Sequence, residues 1–187
     1  MRQLATGLLL LAAAPWARAA DADSVESVVR AVYDVISGPA GTRDWARFRN
    51  LFAEGARLIS MRAGPAGVAP VVMTPEDYIK RAGANFEKSP FYESERSQRV
   101  ESFGAIAHIF STYESRRAPA EKPFARGINS FQLVKDGQVW KVMTILWDAE
   151  REGNPIPEKY LKPQAEPHMA YDRRGTGTVV SPQPALD

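Results

Sequence analysis

The sequence predicts one α+β domain, with helices packed on one face of a strongly bent antiparallel sheet. Three observations carry this. Capped apolar stripes at helical spacing fill the first part of the chain, and long runs rich in β-branched and aromatic residues fill the second. Asp136-Gly137 then joins the last two of those runs as a two-residue hairpin turn.

Residues 1–19 read as a secretory leader. Arg2 is the charged start, 8–14 is apolar, and Ala17-Arg18-Ala19 is an A-x-A cleavage pattern. The apolar run is too short to span a bilayer and no stop-transfer segment follows. The chain is therefore expected to be exported, periplasmic or secreted, without a stable membrane anchor after cleavage. The domain is expected over 20–161 and a flexible C-terminal tail over 162–187, where proline, glycine and charge dominate.

The full chain carries 24 basic and 22 acidic residues. Arg2 and Arg18 leave with the leader, and the remaining charges balance. That argues against a nucleic-acid partner, whose phosphates call for a clustered basic surplus. With no cysteine, the chain has no disulfide and no thiolate chemistry. Two histidines and no cysteine give no zinc-ligand cluster, and no dinucleotide, phosphate-loop or G-x-S-x-G pattern is present, so neither metal nor cofactor is expected.

The first helix is predicted over 24–37, with Asp23 and Glu26 spaced as a capping box and Val25, Val28, Val29, Val32 and Ile36 as its stripe. Gly38-Pro39 stops it. A second helix, 42–52, presents Trp45, Phe48, Leu51 and Phe52, and Gly55 ends it. Residues 57–61 read as a strand, 63–70 as a hairpin loop and 71–73 as the return. Thr74-Pro75-Glu76-Asp77 starts a third helix, with a threonine cap, proline at the first position and a carboxylate three residues after the cap. It is expected to reach residue 88.

Strands follow at 92–103, polar and hence solvated on one face or at an edge, and at 105–117, apolar on both faces and hence central. In the hairpin of 127–148, a turn at Asp136-Gly137 pairs Leu133 with Trp140 and Phe131 with Val142. These four form one face, with Ile145 and Trp147 on the other. Residues 150–161 are expected to wrap the domain through Ile156, Tyr160 and Leu161.

The element order, the DWARFRNLF helix and the runs AHIFSTYES, ARGINSFQLV and DGQVWKVMTILWD resemble the nuclear transport factor 2-like superfamily and, within it, the SnoaL-like exported proteins. The likeness covers about 24–161. It implies a cone-shaped, cystatin-like roll with a pocket between sheet and helices, and dimerisation through the outer sheet face in many members. It also implies a range of functions: isomerases, dehydratases, polyketide cyclases, ligand-binding modules and proteins without known activity. The catalytic members abstract a proton next to a carbonyl with an aspartate, or an aspartate–histidine pair, inside the cone.

No aspartate of this chain falls at mid-strand, which counts against direct transfer of that activity. His168 lies in the tail, so His108 is the candidate acid or base. It has a competing reading as a hydrogen-bonded structural histidine. Tyr33, Tyr78, Phe110, Asn129 and Trp147 are the candidate ligand-binding residues: rings for an apolar body, and an amide to orient it. The expectation is an exported binding or accessory protein for a small hydrophobic molecule. An isomerase, dehydratase or cyclase acting on a hydrophobic carbonyl compound is the alternative, and a homodimeric interaction module with a filled core is a third possibility.

Overall fold

The computed structural model describes residues 21–162 and the backbone of 169–171 and 177–179. The leader, and the tail apart from those two short strands, lie outside the described residues. Helix α1 (Val25–Ile36) is followed by α2 (Trp45–Asn50), β1 (Phe52–Gly64), β2 (Gly67–Met73) and α3 (Pro75–Phe86). Then come β3 (Tyr92–Phe103), β4 (Ile106–Arg116), β5 (Ala125–Asp136), β6 (Val139–Ala149) and a 3-10 turn (Glu158–Tyr160). Strands β7 (Met169–Tyr171) and β8 (Gly177–Val179) pair with each other.

Local chemistry sets the helix starts. Thr74 caps α3 in a capping box with Asp77, and Pro75 takes the first turn, as the sequence predicts. In α1 the box is Ser24 with Ser27, one residue later than the predicted Asp23 and Glu26. This phase brings Val25, Val28, Val29 and Val32 onto the buried face. Helix α2 is shorter than predicted because the chain is already a strand at Phe52. Gly55, read as a helix stop, instead sits at φ 77° inside a bulge of β1.

The sheet has six strands in the order β2-β1-β6-β5-β4-β3 and is curled, not closed. It is mixed: β1 runs parallel to β6, and every other neighbouring pair is antiparallel. The hairpin turn is Gly137-Gln138, not Asp136-Gly137. Only Gly137, at φ 62°, takes a positive angle, which suits a turn with glycine in its first central place. Leu133 therefore faces Val142. A bulge leaves Met143 without a partner, so Phe131 faces Ile145. The predicted face of Phe131, Leu133, Trp140 and Val142 is buried, but Ile145 joins it instead of lying opposite.

Across the concave face a row runs Met73, Leu58, Ile145, Phe131, Ile109. Val28, Val29 and Val32 of α1 and Phe48 of α2 cover it, all at 5% exposure or less. The outer face carries residues 150–161 as a strap. Ser97 and Thr112 donate their hydroxyls to the Tyr160 carbonyl, Tyr160 packs on Phe110 with ring centroids 4.9 Å apart, and Ile156 is buried. Leu161, expected to join this contact, is exposed.

Candidate functional site

Between the sheet and the helices lies a cavity of about 320 Å³, within the usual size range of small-molecule sites. Val32 and Ile36 of α1, Phe48 of α2, Leu58 of β1, Phe131 of β5 and Ile145 of β6 give it an apolar wall. The aromatic side is a linked set. Phe48 stacks on Tyr78 at 5.4 Å, and Tyr78 meets Trp147 edge to face at 6.5 Å. Gly83 of α3 lets the Trp45 ring lie within 3.3 Å of where a Cβ would stand.

Of the six predicted site residues, the structure brings Tyr78, Asn129 and Trp147 together in this wall. Tyr33 stands behind it, at 5% exposure. Its hydroxyl meets Ser111 Oγ at 2.7 Å and accepts from Asn129 Nδ2 at 3.0 Å, while Ser111 donates to Glu95. Since the single Ser111 proton goes to Glu95, Tyr33 donates to Ser111 and its oxygen is free to accept from Asn129. Tyr33 thus positions the Asn129 amide and is not itself a cavity-lining ring.

His108 and Phe110 are corrections. Side chains alternate along β4: Ala107, Ile109, Ser111 and Tyr113 face the core, so 108 and 110 face the other way. His108 Nε2 lies 3.1 Å from Ser130 Oγ on the outer face, and its ring meets Phe110 edge-on at 6.1 Å. Phe110 lies under the strap, in a separate hollow of about 380 Å³.

The carboxyl that does line the cone among the described residues is Glu93 near the start of β3, which the sequence does not single out. Residue 96 is an extra residue in the β3–β4 ladder: Glu95 pairs with Tyr113, but Ser97 pairs with Thr112. Val100 packs against the core, and unbroken alternation back from it would turn Glu93 and Glu95 outward. The bulge turns both inward. Glu93 Oε2 accepts from the Ser115 hydroxyl at 2.7 Å. Burial pushes its carboxyl up to about 7, against the pull of Ser115 and Asn129, both of which favour the charged form.

Tyr113 and Tyr78 are both raised above the ordinary phenol value, first by burial and then by the Glu93 charge, so they remain hydrogen-bond donors at neutral pH. Tyr113 owes its place to Gly127 on the facing strand. A Cβ at residue 127 would collide with the Tyr113 hydroxyl and with the Asp148 carbonyl. Among the described residues, no group of three His, Cys, Asp or Glu side chains could hold a metal ion, and no helix is long and apolar enough to cross a membrane.

No protein-family model matches the chain, and no curated protein matches it in sequence. Solved structures do. A cystatin-like protein of unknown function from Nostoc punctiforme aligns with a TM-score of 0.53 and 10% identity, over 67% of this chain and 88% of that one. LinA aligns at 0.51 with 10% identity, over 73% and 87%. An NTF2-like protein of unknown function from Pseudomonas putida aligns at 0.50 with 14% identity, over 70% and 85%. Identities this low speak to architecture and not to chemistry. The curled sheet, the helices on its concave face and these alignments together show that the chain has the nuclear transport factor 2-like fold.

Proposed function

We propose that this chain is an exported, SnoaL-like protein that binds a small, mainly apolar molecule in its cone, with Glu93 meeting that molecule's polar atom. One observation carries the reading. Glu93 is the only carboxyl in the wall of the cavity among the described residues, and it accepts from Ser115 within a wall that is otherwise largely rings and aliphatic side chains. A buried carboxyl costs stability, and a ligand that hydrogen-bonds to it offsets that cost.

The same group supports a second reading, proton transfer next to a carbonyl as in an isomerase, dehydratase or cyclase. A carboxyl lifted to about 7 exchanges its proton near neutrality, and the protonated Tyr113 and Tyr78 hydroxyls are the donors that would stabilise an oxyanion. In this reading Glu93 takes the acid–base role that the sequence offered to His108.

A thermal-shift screen of hydrophobic ketones and alcohols tests both readings, since a ligand of the native state raises its melting temperature by mass action. Glu93→Gln should weaken the shift and, if there is turnover, abolish it. His108→Gln should leave both unchanged. A screen in which neither protein responds sinks the binding reading. Exposed Val72, Ile106 and Leu146 support the pairing of two copies through the outer sheet face. Sedimentation of the mature protein as a monomer at tens of micromolar would overturn that pairing.

A further inference from the structure

The cavity adjoins a larger, open hollow, and Arg62, Tyr78, Phe91 and Phe124 line both. Three cations from three separate elements stand around that opening: Arg62 on β1, Lys88 after α3 and Arg117 after β4. No carboxyl lines the hollow among the described residues, and none of the three cations is in an ion pair there. Elsewhere the guanidinium groups of Arg47, Arg49, Arg116, Arg126 and Arg151 each reach a carboxylate. Arg117 instead donates from Nη1 to the Pro90 carbonyl at 3.2 Å and lies 4.4 Å above the ring of Phe124, which is 50% exposed.

Like charges gathered at an opening with apolar walls repel one another and focus a positive potential into it. Glu93 lines the cavity but not the hollow, and its carboxyl disfavours a second anion in the cavity. The hollow and the cavity therefore select a molecule with a direction. We propose that the ligand is an amphipathic carboxylic acid, its carboxylate held at the mouth by Arg62, Lys88 and Arg117, its apolar body in the cone, and any carbonyl or hydroxyl toward Glu93 and Asn129. The proposal rests on the reading of the cone as a binding site and adds the charge and the direction of entry.

The test is calorimetric titration of the mature protein with medium-chain fatty acids and arylalkanoic acids, each beside its methyl ester. The acid should bind roughly tenfold tighter than its ester at low salt, the size of effect that one charge-assisted contact gives. The preference should shrink at about 0.5 M salt as the exposed charges are screened. In the Arg62→Gln/Lys88→Gln double variant, whose altered side chains are exposed and make no hydrogen bond among the described residues, the acid-to-ester ratio should fall toward one. An ester that binds as well as its acid, or a preference the double variant keeps, overturns the anion proposal while leaving the cone reading in place. Absence of binding by acids and esters alike overturns both.

Discussion

Replacing Glu93 with glutamine should make the protein more stable, and only above a defined pH. An ordinary glutamate titrates near 4.5, and burial lifts Glu93 to about 7. Between those values the folded chain binds a proton that the unfolded chain has already lost, so unfolding is favoured as pH rises through the window. The full effect, reached above about pH 7, is about 3 kcal/mol. A glutamine side chain has the same shape and never ionises. Glu93→Gln should therefore match the parent within about 1 kcal/mol at pH 4.5 and exceed it by about 2–3 kcal/mol at pH 8, with some of the gain lost because an amide accepts less strongly from Ser115. Glu95 is also raised by burial, but it is present in both proteins and cancels in the difference. Urea titrations of the two proteins at half-unit steps from pH 4.5 to 8.5 measure this. A difference that stays flat, or a parent that gains on the variant as pH rises, would refute the burial of this carboxyl.

Gly127→Ala should cost about 1–3 kcal/mol in equilibrium unfolding, because its Cβ meets the Tyr113 hydroxyl and the Asp148 carbonyl and one of them must move. Arg43, 9% exposed, donates to the carbonyls of Ile36, Gly38, Pro39 and Gly41 and lies 4.9 Å above the Phe86 ring. Arg43→Met should cost about 2–4 kcal/mol in the same assay and speed amide exchange at 38–42, with Arg43→Lys recovering little because an ammonium cannot span four acceptors. Trp140→Ala empties a buried aromatic site and should cost about 3–5 kcal/mol. N-terminal sequencing of the exported protein should begin at Ala20 or Asp21. Asp21 is paired with Arg47, and the buried Ala22 accepts from the Trp140 backbone N–H, so cleavage further in would cut into the packed domain.

Features set by a few adjacent residues were the most legible. The Thr74-Pro75-Glu76-Asp77 start of α3 uses groups within one turn of each other, and the structure realises it as read. The limits of β3 and β4 follow from Ser89-Pro90 and from Gly104, whose φ of 55° makes the turn. Where two phases satisfied the same local rule, sequence could not choose. Asp23 with Glu26 and Ser24 with Ser27 are both capping-box spacings, and the burial of the α1 stripe on the sheet favours the second. Asp136-Gly137 and Gly137-Gln138 both supply a glycine to a two-residue turn, and the pairing of β5 with β6 favours the second. Neither error reached the core, because moving the turn by one place shifts each partner by two and keeps every side chain on its face.

Bulges behave differently, and the site depends on them. The extra residue at 96 reverses the facing of everything before it in β3, and Met143 does the same for the end of β6. Without the first, Glu93 would face the outer side; without the second, Ile145 and Trp147 would leave the cone. Neither position carries a glycine or proline to mark it, so strict alternation sets Ile145 and Trp147 on the face opposite Phe131 and gives no reason to look for Glu93 inside. His108 is reached by elimination, as the one histidine outside the tail, while Glu93 lies in a strand whose polar composition reads as solvated on one face or at an edge. The bulge in β3 turns into the cone a carboxyl that would otherwise face the outer side. Ser115 donates to Glu93 there, and burial still outweighs that bond in setting the carboxyl's titration. On the proposed binding reading, a carboxyl raised by burial inside the cone, beside a hollow whose three cations make no ion pair among the described residues, is where local consistency yields to function.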